Sequence, residues 1–330
     1  MPDLAILEPR VLNGVIERMP PADGMLGHQI VGRQSWPDAY WEYDIVTRRR
    51  NIARPNTPNS PAIIVDQNGV GKMRGGFIYT REKKLFSPTT MRWLRAPGQM
   101  AASAAEAAIL REVQELRDRQ FRWEEFLIWK MLAAGSFDLT ALGHQVAVDY
   151  QIAATHLPTV GTFWTLPTAD LQGDMTDFKR VISRDSDARL VTMYGNGPTL
   201  ETFYSHMQVQ SSLNDAQRGA MVTEGVLPRF QQVTFVEYDR GYVDDFTTPA
   251  TPVFVPYIPD GYLVGVADGG PTTFAYLDGP SADWDAPEGT TGTWAKTWQE
   301  EDPSTRQALL ESNGMPVLYQ PDHMLIARVY

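Results

Sequence analysis

The chain of 330 residues contains no cysteine, which excludes disulfide scaffolds, cysteine-ligated zinc sites and thiol catalysis. It also lacks a long apolar run, since the alanine-rich stretch around 96–103 is too short to span a bilayer. Residues 1–10 carry charges where a signal peptide has its apolar segment, so we expect neither a signal peptide nor a membrane span. Apolar side chains make up 43% of the sequence and charged ones 21%, which is typical of a folded globular protein.

The net charge of −11 is distributed unevenly along the chain. Residues 231–330 contain 15 acidic and four basic side chains, which accounts for the whole of the excess. Residues 48–95, in contrast, contain eleven basic side chains and only two acidic ones. A chain with a basic segment and an acidic C-terminal third can bind copies of itself electrostatically, although two solvated surfaces would give the same counts.

The sequence offers little that supports catalysis. Its five histidines do not have the spacing of a zinc protease, and no Gly-x-Ser-x-Gly elbow is present. Gly69-Val70-Gly71-Lys72 ends like a phosphate-binding loop but lacks the first glycine and the hydroxyl residue of that motif. We therefore predict no enzyme activity, no metal and no cofactor. The alternative from a different class is a soluble α+β hydrolase that uses His144, Asp149 and His156, which could approach one another across a hairpin.

Aromatic residues give no clear ligand signal either. Trp164, Trp284, Trp294 and Trp298 could stack on a sugar, but tryptophans in a β-rich segment with many glycines are more often part of a small core or of a subunit contact. The basic segment has neither interleaved aromatic residues nor a recognition helix, so the sequence shows no signature of RNA or DNA recognition.

The longest predicted element is a helix over 97–134. Apolar residues recur there every three, four or seven positions, as one helical face requires. This face consists of Ile109, Val113, Leu116, Trp123, Leu127, Met131 and Ala134. The opposite, polar face includes Glu115, Arg119 and Glu125. A helix of about 57 Å without heptads is typical of a spine along an elongated domain.

The segments around this helix differ in character. The first sixty residues are rich in proline, which disfavours long helices and central strands, so they predict an extended arm. Residues 61–95 predict a β-hairpin in which glycines at 68–71 and 75–76 interrupt the strands. The further predicted elements are a hairpin over 137–152, helices at 170–184 and 198–207, strands at 190–194, 233–238, 254–257, 262–267, 316–319 and 324–330, and a loop at 269–293.

Short motifs in residues 60–330 carry a resemblance to a known family. The arginine-flanked run Met91-Arg92-Trp93-Leu94-Arg95 stands where a loop enters the long helix, and Ala133-Ala134-Gly135-Ser136-Phe137 stands where that helix passes into a hairpin. A Pro-Asp turn at Ile258-Pro259-Asp260-Gly261 precedes a strand. In this order the motifs resemble those of the lambda capsid protein E family of tailed-phage major capsid proteins, which has the Hong Kong 97-type fold.

The resemblance implies an α+β, Hong Kong 97-type phage capsid fold with five parts. These are an N-terminal arm (1–60), an extended loop formed by a β-hairpin (61–96), a peripheral domain (97–167) with the spine helix (97–134), an axial α/β domain (168–300) and a C-terminal return to the peripheral domain (301–330). The implied function is that of a major capsid protein, without enzyme activity, which self-assembles as hexamers and pentamers into an icosahedral head shell around double-stranded DNA.

The resemblance also implies partners and a location. A scaffolding protein, a portal and a decoration protein are expected beside the copies of the chain itself, and packaged DNA would be held without sequence specificity. The protein would be part of the virion, assembled in the host cytoplasm and without a membrane partner. An encapsulin-like shell that packages an enzyme cargo is the alternative within the same fold.

The implied contact sites are basic. In the extended loop they are Lys72, Arg74, Arg81, Lys83, Lys84, Arg92 and Arg95. We expect these side chains to lie on the acidic 231–330 region of a neighbouring subunit. The cluster in the N-terminal arm consists of Arg48, Arg49, Arg50 and Arg54, and it would face a neighbouring subunit, DNA or an acidic scaffold.

Overall fold

The computed structural model describes residues 9–21, 24–47, 69–87, 102–140, 146–224, 229–244, 251–269, 273–302 and 305–330. The helices are α1 (Pro9–Ile16), α2 (Leu26–Ile30), α3 (Ala102–Ala134), α4 (Leu171–Ser186), α5 (Gly197–Ser205), α6 (Met207–Ser212) and α7 (Asp215–Glu224). The strands are β1 (Gly32–Ser35), β2 (Tyr40–Thr47), β3 (Gly69–Gly76), β4 (Ile78–Phe86), β5 (Ser136–Asp138), β6 (Ala147–Asp149), β7 (Leu190–Gly195), β8 (Thr234–Glu237), β9 (Gly241–Asp244), β10 (Val253–Pro256), β11 (Tyr262–Ala267), β12 (Phe274–Asp278), β13 (Thr293–Glu300), β14 (Thr305–Leu318) and β15 (Met324–Arg328). The fold is therefore of the predicted α+β class.

Helix α3 confirms the predicted spine over the part of it that the structure describes, since residues 97–101 lie outside the described ranges. Its apolar face is buried at Ile109, Val113 and Leu116. The helix ends at Gly135, whose φ of +67° is a left-handed conformation that favours glycine. A methyl group at that position would also lie 2.7 Å from Ile152 Cδ1.

A five-stranded sheet packs against the spine helix. Strand β14 is its centre and pairs antiparallel with β12, β13 and β4, while β1 is added parallel to β12. Side chains of β14 alternate between two faces, so that Ala308 and Leu310 meet Ile109 and Val113 of the helix. Leu12 and Ile16 of α1 complete this small core. The proline-rich N-terminal region therefore packs on its own domain at this point.

A four-stranded sheet in the order β15–β11–β7–β8 forms the second layer. Helix α4 covers it with Leu171, Met175, Phe178 and Ile182, which are buried. Asp170 caps this helix by accepting a hydrogen bond from the Gly173 amide at 3.1 Å. The predicted helix, strands and hairpin between 137 and 267 are confirmed with shifts of a few residues at their ends.

The predicted hairpin within 61–95 is wrong in its described part. Gly69–Gly76 is a regular strand that pairs with Tyr40–Thr47, and Ile78–Phe86 continues into the five-stranded sheet. Gly75 is required for packing rather than for a turn, because a methyl group there would collide with the ring of Trp41. The predicted strand at 63–65 lies outside the described residues.

The C-terminal third also departs from the sequence-based expectation. The predicted loop at 269–293 contains strand β12, and strands β13 and most of β14 were not predicted. Strand pairing crosses the predicted domain boundary at residue 300, because β13 pairs with β14. Strand β15, assigned to a peripheral return, pairs with β11 in the four-stranded sheet. Among the described helices, none is long and apolar enough to cross a membrane.

Candidate assembly interface

Strand β4 carries three of the predicted contact residues, and all three have partners within the chain. Lys84 Nζ lies 2.5 Å from Glu112 Oε2 and also binds Glu115 on the spine helix. Burial alone would lower the pKa of Lys84, but these two carboxylates raise it above its ordinary value. Arg81 Nη2 lies 3.0 Å from Asp283 Oδ2, and Lys83 Nζ donates to Gln307 Oε1 at 3.2 Å.

The β2–β3 ribbon carries the next two predicted residues on its outward face. Lys72 Nζ lies 3.1 Å from Glu42 Oε1, and the Arg74 guanidinium stacks 5.0 Å from the centre of the Tyr40 ring. The inward face of the ribbon buries Trp41 and Tyr43 in the same apolar core as Trp129 of α3. In its described part the ribbon is therefore anchored to its own domain, with polar side chains turned outward.

Three of the described basic residues in 48–95, namely Lys72, Arg81 and Lys84, are paired with carboxylates in three dimensions. Their partners, Glu42, Glu112, Glu115 and Asp283, come from other parts of the chain, which a count along one segment does not include. Arg92, Arg95 and the cluster Arg48, Arg49, Arg50 and Arg54 lie outside the described residues. Contact between these side chains and a neighbouring subunit stays a prediction.

A loop on the outer face of the five-stranded sheet lies within the loop predicted at 269–293. It spans 281–291 and is closed by a bridge between Pro280 and Thr291. The buried carboxylate of Asp283 holds it, 2.6 Å from Lys296 Nζ and 3.0 Å from Arg81 Nη2. Burial alone would raise the pKa of Asp283, but Lys296 and other donors outweigh this effect and lower it.

The loop presents Trp284 to solvent with 100% of its surface exposed. Beside it, a groove of about 450 Å³ runs along β13 and is lined by Asp285, Lys296 and Trp298, among others. Trp298 is 36% exposed and stands in register with Gln307 and Leu85 across three strands. The sequence predicts that these tryptophans lie in a small core or at a subunit contact. The full exposure of Trp284 excludes a core position for its ring.

A buried polar cluster joins the N-terminal region to the spine helix. Glu125, which the helical pattern places on the polar face, is fully buried and accepts hydrogen bonds from four donors. They are the amides of Gly27 (2.8 Å) and His28 (3.2 Å), Trp129 Nε1 (2.7 Å) and Tyr238 Oη (2.5 Å). The neighbouring Glu124 lies 2.6 Å from Arg33 Nη1 and 3.4 Å from Arg117 Nη1.

The hydrolase residues do not form a catalytic constellation in the described chain. His156 is fully buried, with Nδ1 2.6 Å from the Met324 carbonyl oxygen and Nε2 3.2 Å from Asp185 Oδ2. Asp149 accepts from the Gln151 amide at 2.9 Å, and His144 lies outside the described residues. No group of three or more histidine, aspartate or glutamate side chains in the described ranges could hold a metal ion.

Several solved structures with a similar fold are capsid proteins. A structure described as a prophage capsid protein from E. coli CFT073 is 13% identical, with a TM-score of 0.66 and coverage of 98% of this chain and 99% of that one. The mature capsid of bacteriophage PhiM1 is 9% identical, with a TM-score of 0.52 and coverage of 92% and 86%. The capsid of cyanophage P-SCSP1u is 7% identical, with a TM-score of 0.53 and coverage of 91% and 86%. No curated protein matches the chain.

The fold, together with a match to a capsid-protein family model, defines a shell-forming, non-enzymatic structural protein of the phage-capsid class. Residues 8–329 match the family model described as phage major capsid protein E, and the chain belongs to that family. The resemblance stated from the sequence motifs is confirmed, and the hydrolase hypothesis is wrong.

Proposed function

We propose that this protein builds an icosahedral phage head from hexamers and pentamers and that the head encloses double-stranded DNA. The observation that carries the proposal is the family match over residues 8–329, which leaves no room for a separate catalytic domain within that range. A shell needs contacts between many copies, and contacts between unlike surfaces of identical chains close into rings. The absence of cysteine means that such a shell would be held by buried area and charge rather than by disulfides.

The two sheets suggest how the chain would divide between shell positions. We assign the four-stranded sheet with α4 and α5 to the axial domain, around the five- and six-fold axes. The five-stranded sheet and α3 would form the peripheral domain. This division follows strand pairing, so that 274–300 joins the peripheral part and β15 the axial part, in place of a boundary at residue 300.

The basic residues would act between copies to different degrees. Lys72 and Arg74 lie on the outward face of the ribbon and are the described cations best placed to meet a neighbour. Arg81 and Lys84 would contribute less, because Arg81 is paired with the buried Asp283 and the Lys84 side chain is 24% exposed, against 68% for Lys72. A scaffolding protein, a portal and a decoration protein are further proposed partners, and assembly would take place in the host cytoplasm.

Expression of the full chain, alone and with its scaffolding protein, tests the proposal. Negative-stain microscopy and mass photometry should show closed megadalton shells rather than a species near 37.0 kDa. Nuclease-resistant DNA in shells purified from infected cells would support a phage head. An enzyme cargo in place of DNA would identify an encapsulin-like shell, and monomers under every condition would contradict shell formation.

A further inference from the structure

We propose that the Trp284 surface of one copy binds the arginine-rich segment Arg48–Arg54 of a second copy. The Trp284 surface is defined here as Trp284, Asp285, Trp298 and the acidic turn Glu300–Asp302. The inference rests on the proposed function, because it needs neighbouring copies in a shell. It goes further by naming the place where the arginines would bind.

Trp284 is exposed on an ordered loop. The buried carboxylate of Asp283 anchors the loop that carries Trp284 and is itself paired with two cations. Two hydrogen bonds of 2.9 Å add to this, one from the Ser281 amide to the Thr290 carbonyl and one from the Asp285 amide to Asp283 Oδ1. A buried carboxylate is costly unless it is paired, so this arrangement is specific. Because the backbone of the loop is already ordered, only the two side-chain torsions of Trp284 lose freedom when a partner covers the ring, which keeps the entropy cost of binding low.

The rim of the surface is acidic. Asp285 keeps 73% of its side chain exposed although it lies 3.0 Å from Lys296 Nζ. Side chains alternate along β13, so Glu300 lies on the same face as Trp298, and the exposed Glu301 and Asp302 follow it. Arg81 and Lys296 are already bound to Asp283, and Lys296 Nζ also lies 5.9 Å from the centre of the Trp298 ring. Arg306, which pairs with Gln299, is the third cation near this surface. Carboxylates therefore outnumber free positive charge around two exposed indole rings.

An arginine-rich segment has the chemistry that this surface selects. A guanidinium group stacks on the face of tryptophan and pairs with a carboxylate through two parallel hydrogen bonds, which lysine cannot do equally well. Arg48, Arg49, Arg50 and Arg54 lie in the connection between β2 and β3, which contains one acidic residue, Asp66. That connection leaves the ribbon at Thr47 and returns at Gly69, at the end opposite to Tyr40 and Gly76.

Crosslinking between two different chains tests the contact directly, since the natural sequence has no thiol. One chain would carry Asn51→Cys, which keeps every arginine, and a size-tagged second chain would carry Ala282→Cys, which keeps Trp284. Co-assembled shells, oxidised and run on a non-reducing gel, should give the heterodimer. The matched control pairs Asn51→Cys with Met207→Cys, because Met207 is 77% exposed but lies at the start of α6, away from the loop. That control should give only background crosslinking.

Replacement of Trp284 gives an independent readout. Trp284→Ala shells should dissociate in denaturant about tenfold faster than wild-type or Met207→Ala shells, because an anchor indole is worth more than 1.4 kcal/mol. The thermal midpoint of the unassembled variant should equal that of wild type, since the ring is fully exposed there. Shells that form normally but give the heterodimer only at the control level, with arginines bound to DNA instead, would overturn the inference while leaving the shell function intact. A chain that forms no shells would overturn both.

Discussion

At the scale of single residues, the adjacent glutamates 124 and 125 show what the helical pattern cannot reveal. Both are fully buried in the middle of the spine helix, but Glu125 is satisfied by neutral donors and Glu124 by cations. Their partners, such as Gly27 and Arg33, lie about ninety residues away in sequence. Periodicity reports which face a residue occupies, but it cannot report a buried polar partner from another element.

Removal of the Glu125 carboxylate should strongly destabilise the chain. Glu125→Ala leaves four buried donors without an acceptor, and we expect a loss of about 3–5 kcal/mol in the free energy of unfolding, measured by urea denaturation of the unassembled chain. Gln114→Ala on the same helix is the matched control, because Gln114 is exposed and its replacement should change stability by less than about 0.5 kcal/mol. Equal effects of the two variants would show that the Glu125 cluster contributes nothing specific.

Glu124 should make the fold sensitive to acid. Burial alone would raise its pKa, but the positive charges of Arg33, Arg117 and His28 outweigh that effect and lower it below the ordinary 4.5. Its contribution to stability is therefore complete above about pH 4.5 and is lost as the pH falls through the lower folded value. Burial raises the pKa of the neighbouring Asp278, which acts in the opposite direction, so the comparison must isolate Glu124.

Unfolding free energies of wild type and Glu124→Gln between pH 3 and pH 7 provide that comparison. The variant should be less stable at pH 7, and the difference should shrink as the pH falls below 4.5. A difference that stays constant over this range would show that the ionised form of Glu124 is not what stabilises the fold.

At the scale of elements, helix α1 closes one edge of the five-stranded sheet. Asn13 Nδ2 donates to the Ala295 carbonyl and Asn13 Oδ1 accepts from the Ala295 amide, both at 2.8 Å, as a neighbouring strand would. Asn13→Ala should cost about 1–2 kcal/mol and speed hydrogen exchange of the Ala295 amide, whereas Arg10→Ala on the exposed side should change neither. Unchanged exchange at Ala295 in Asn13→Ala would contradict this role.

Two lysines of strand β4 should distinguish an effect on folding from an effect on assembly. Lys84→Glu would place a third carboxylate beside Glu112 and Glu115, so we expect a loss of about 1 kcal/mol in the unassembled chain. Lys83→Glu loses only a hydrogen bond to Gln307 and should stay within about 0.5 kcal/mol of wild type by thermal unfolding. A defect in shell yield for Lys83→Glu would then report contact between copies, while equal destabilisation by both variants would refute the distinction.

Elements with a regular apolar pattern could be predicted from the sequence, and those held by polar partners could not. The spine helix and the α/β alternation were predicted because their apolar residues repeat with a clear period. Strand β14 was largely missed because polar residues occupy its buried positions, where Glu311 binds Tyr79 and Ser312 lies 3.4 Å from Glu124. The exposed position of Trp284 could not be predicted for a related reason, because the order of its loop depends on Asp283 and on cations of other strands.

At the scale of the whole molecule, Trp129 links the two sheets through the spine helix. Its ring packs 4.8 Å from Tyr238 and 5.8 Å from Tyr194, while neighbouring residues of the helix contact the five-stranded sheet. We expect the unassembled wild-type chain to unfold in one calorimetric transition. Trp129→Ala should cost about 3–5 kcal/mol and split that transition in two, whereas Phe203→Ala, within the second core, should lower a single transition. A single transition in Trp129→Ala would show that other contacts couple the sheets.

The position of β14 and β15 in the chain has a consequence for synthesis. Strand β14 is the centre of the five-stranded sheet, and β15 is an edge strand of the four-stranded sheet. Neither sheet can be completed until the ribosome has synthesised these two strands, which end at residue 328. Until then the five-stranded sheet against which the Trp284 loop packs lacks its central strand. We therefore expect chains interrupted before β14 to lack the fold that assembly requires.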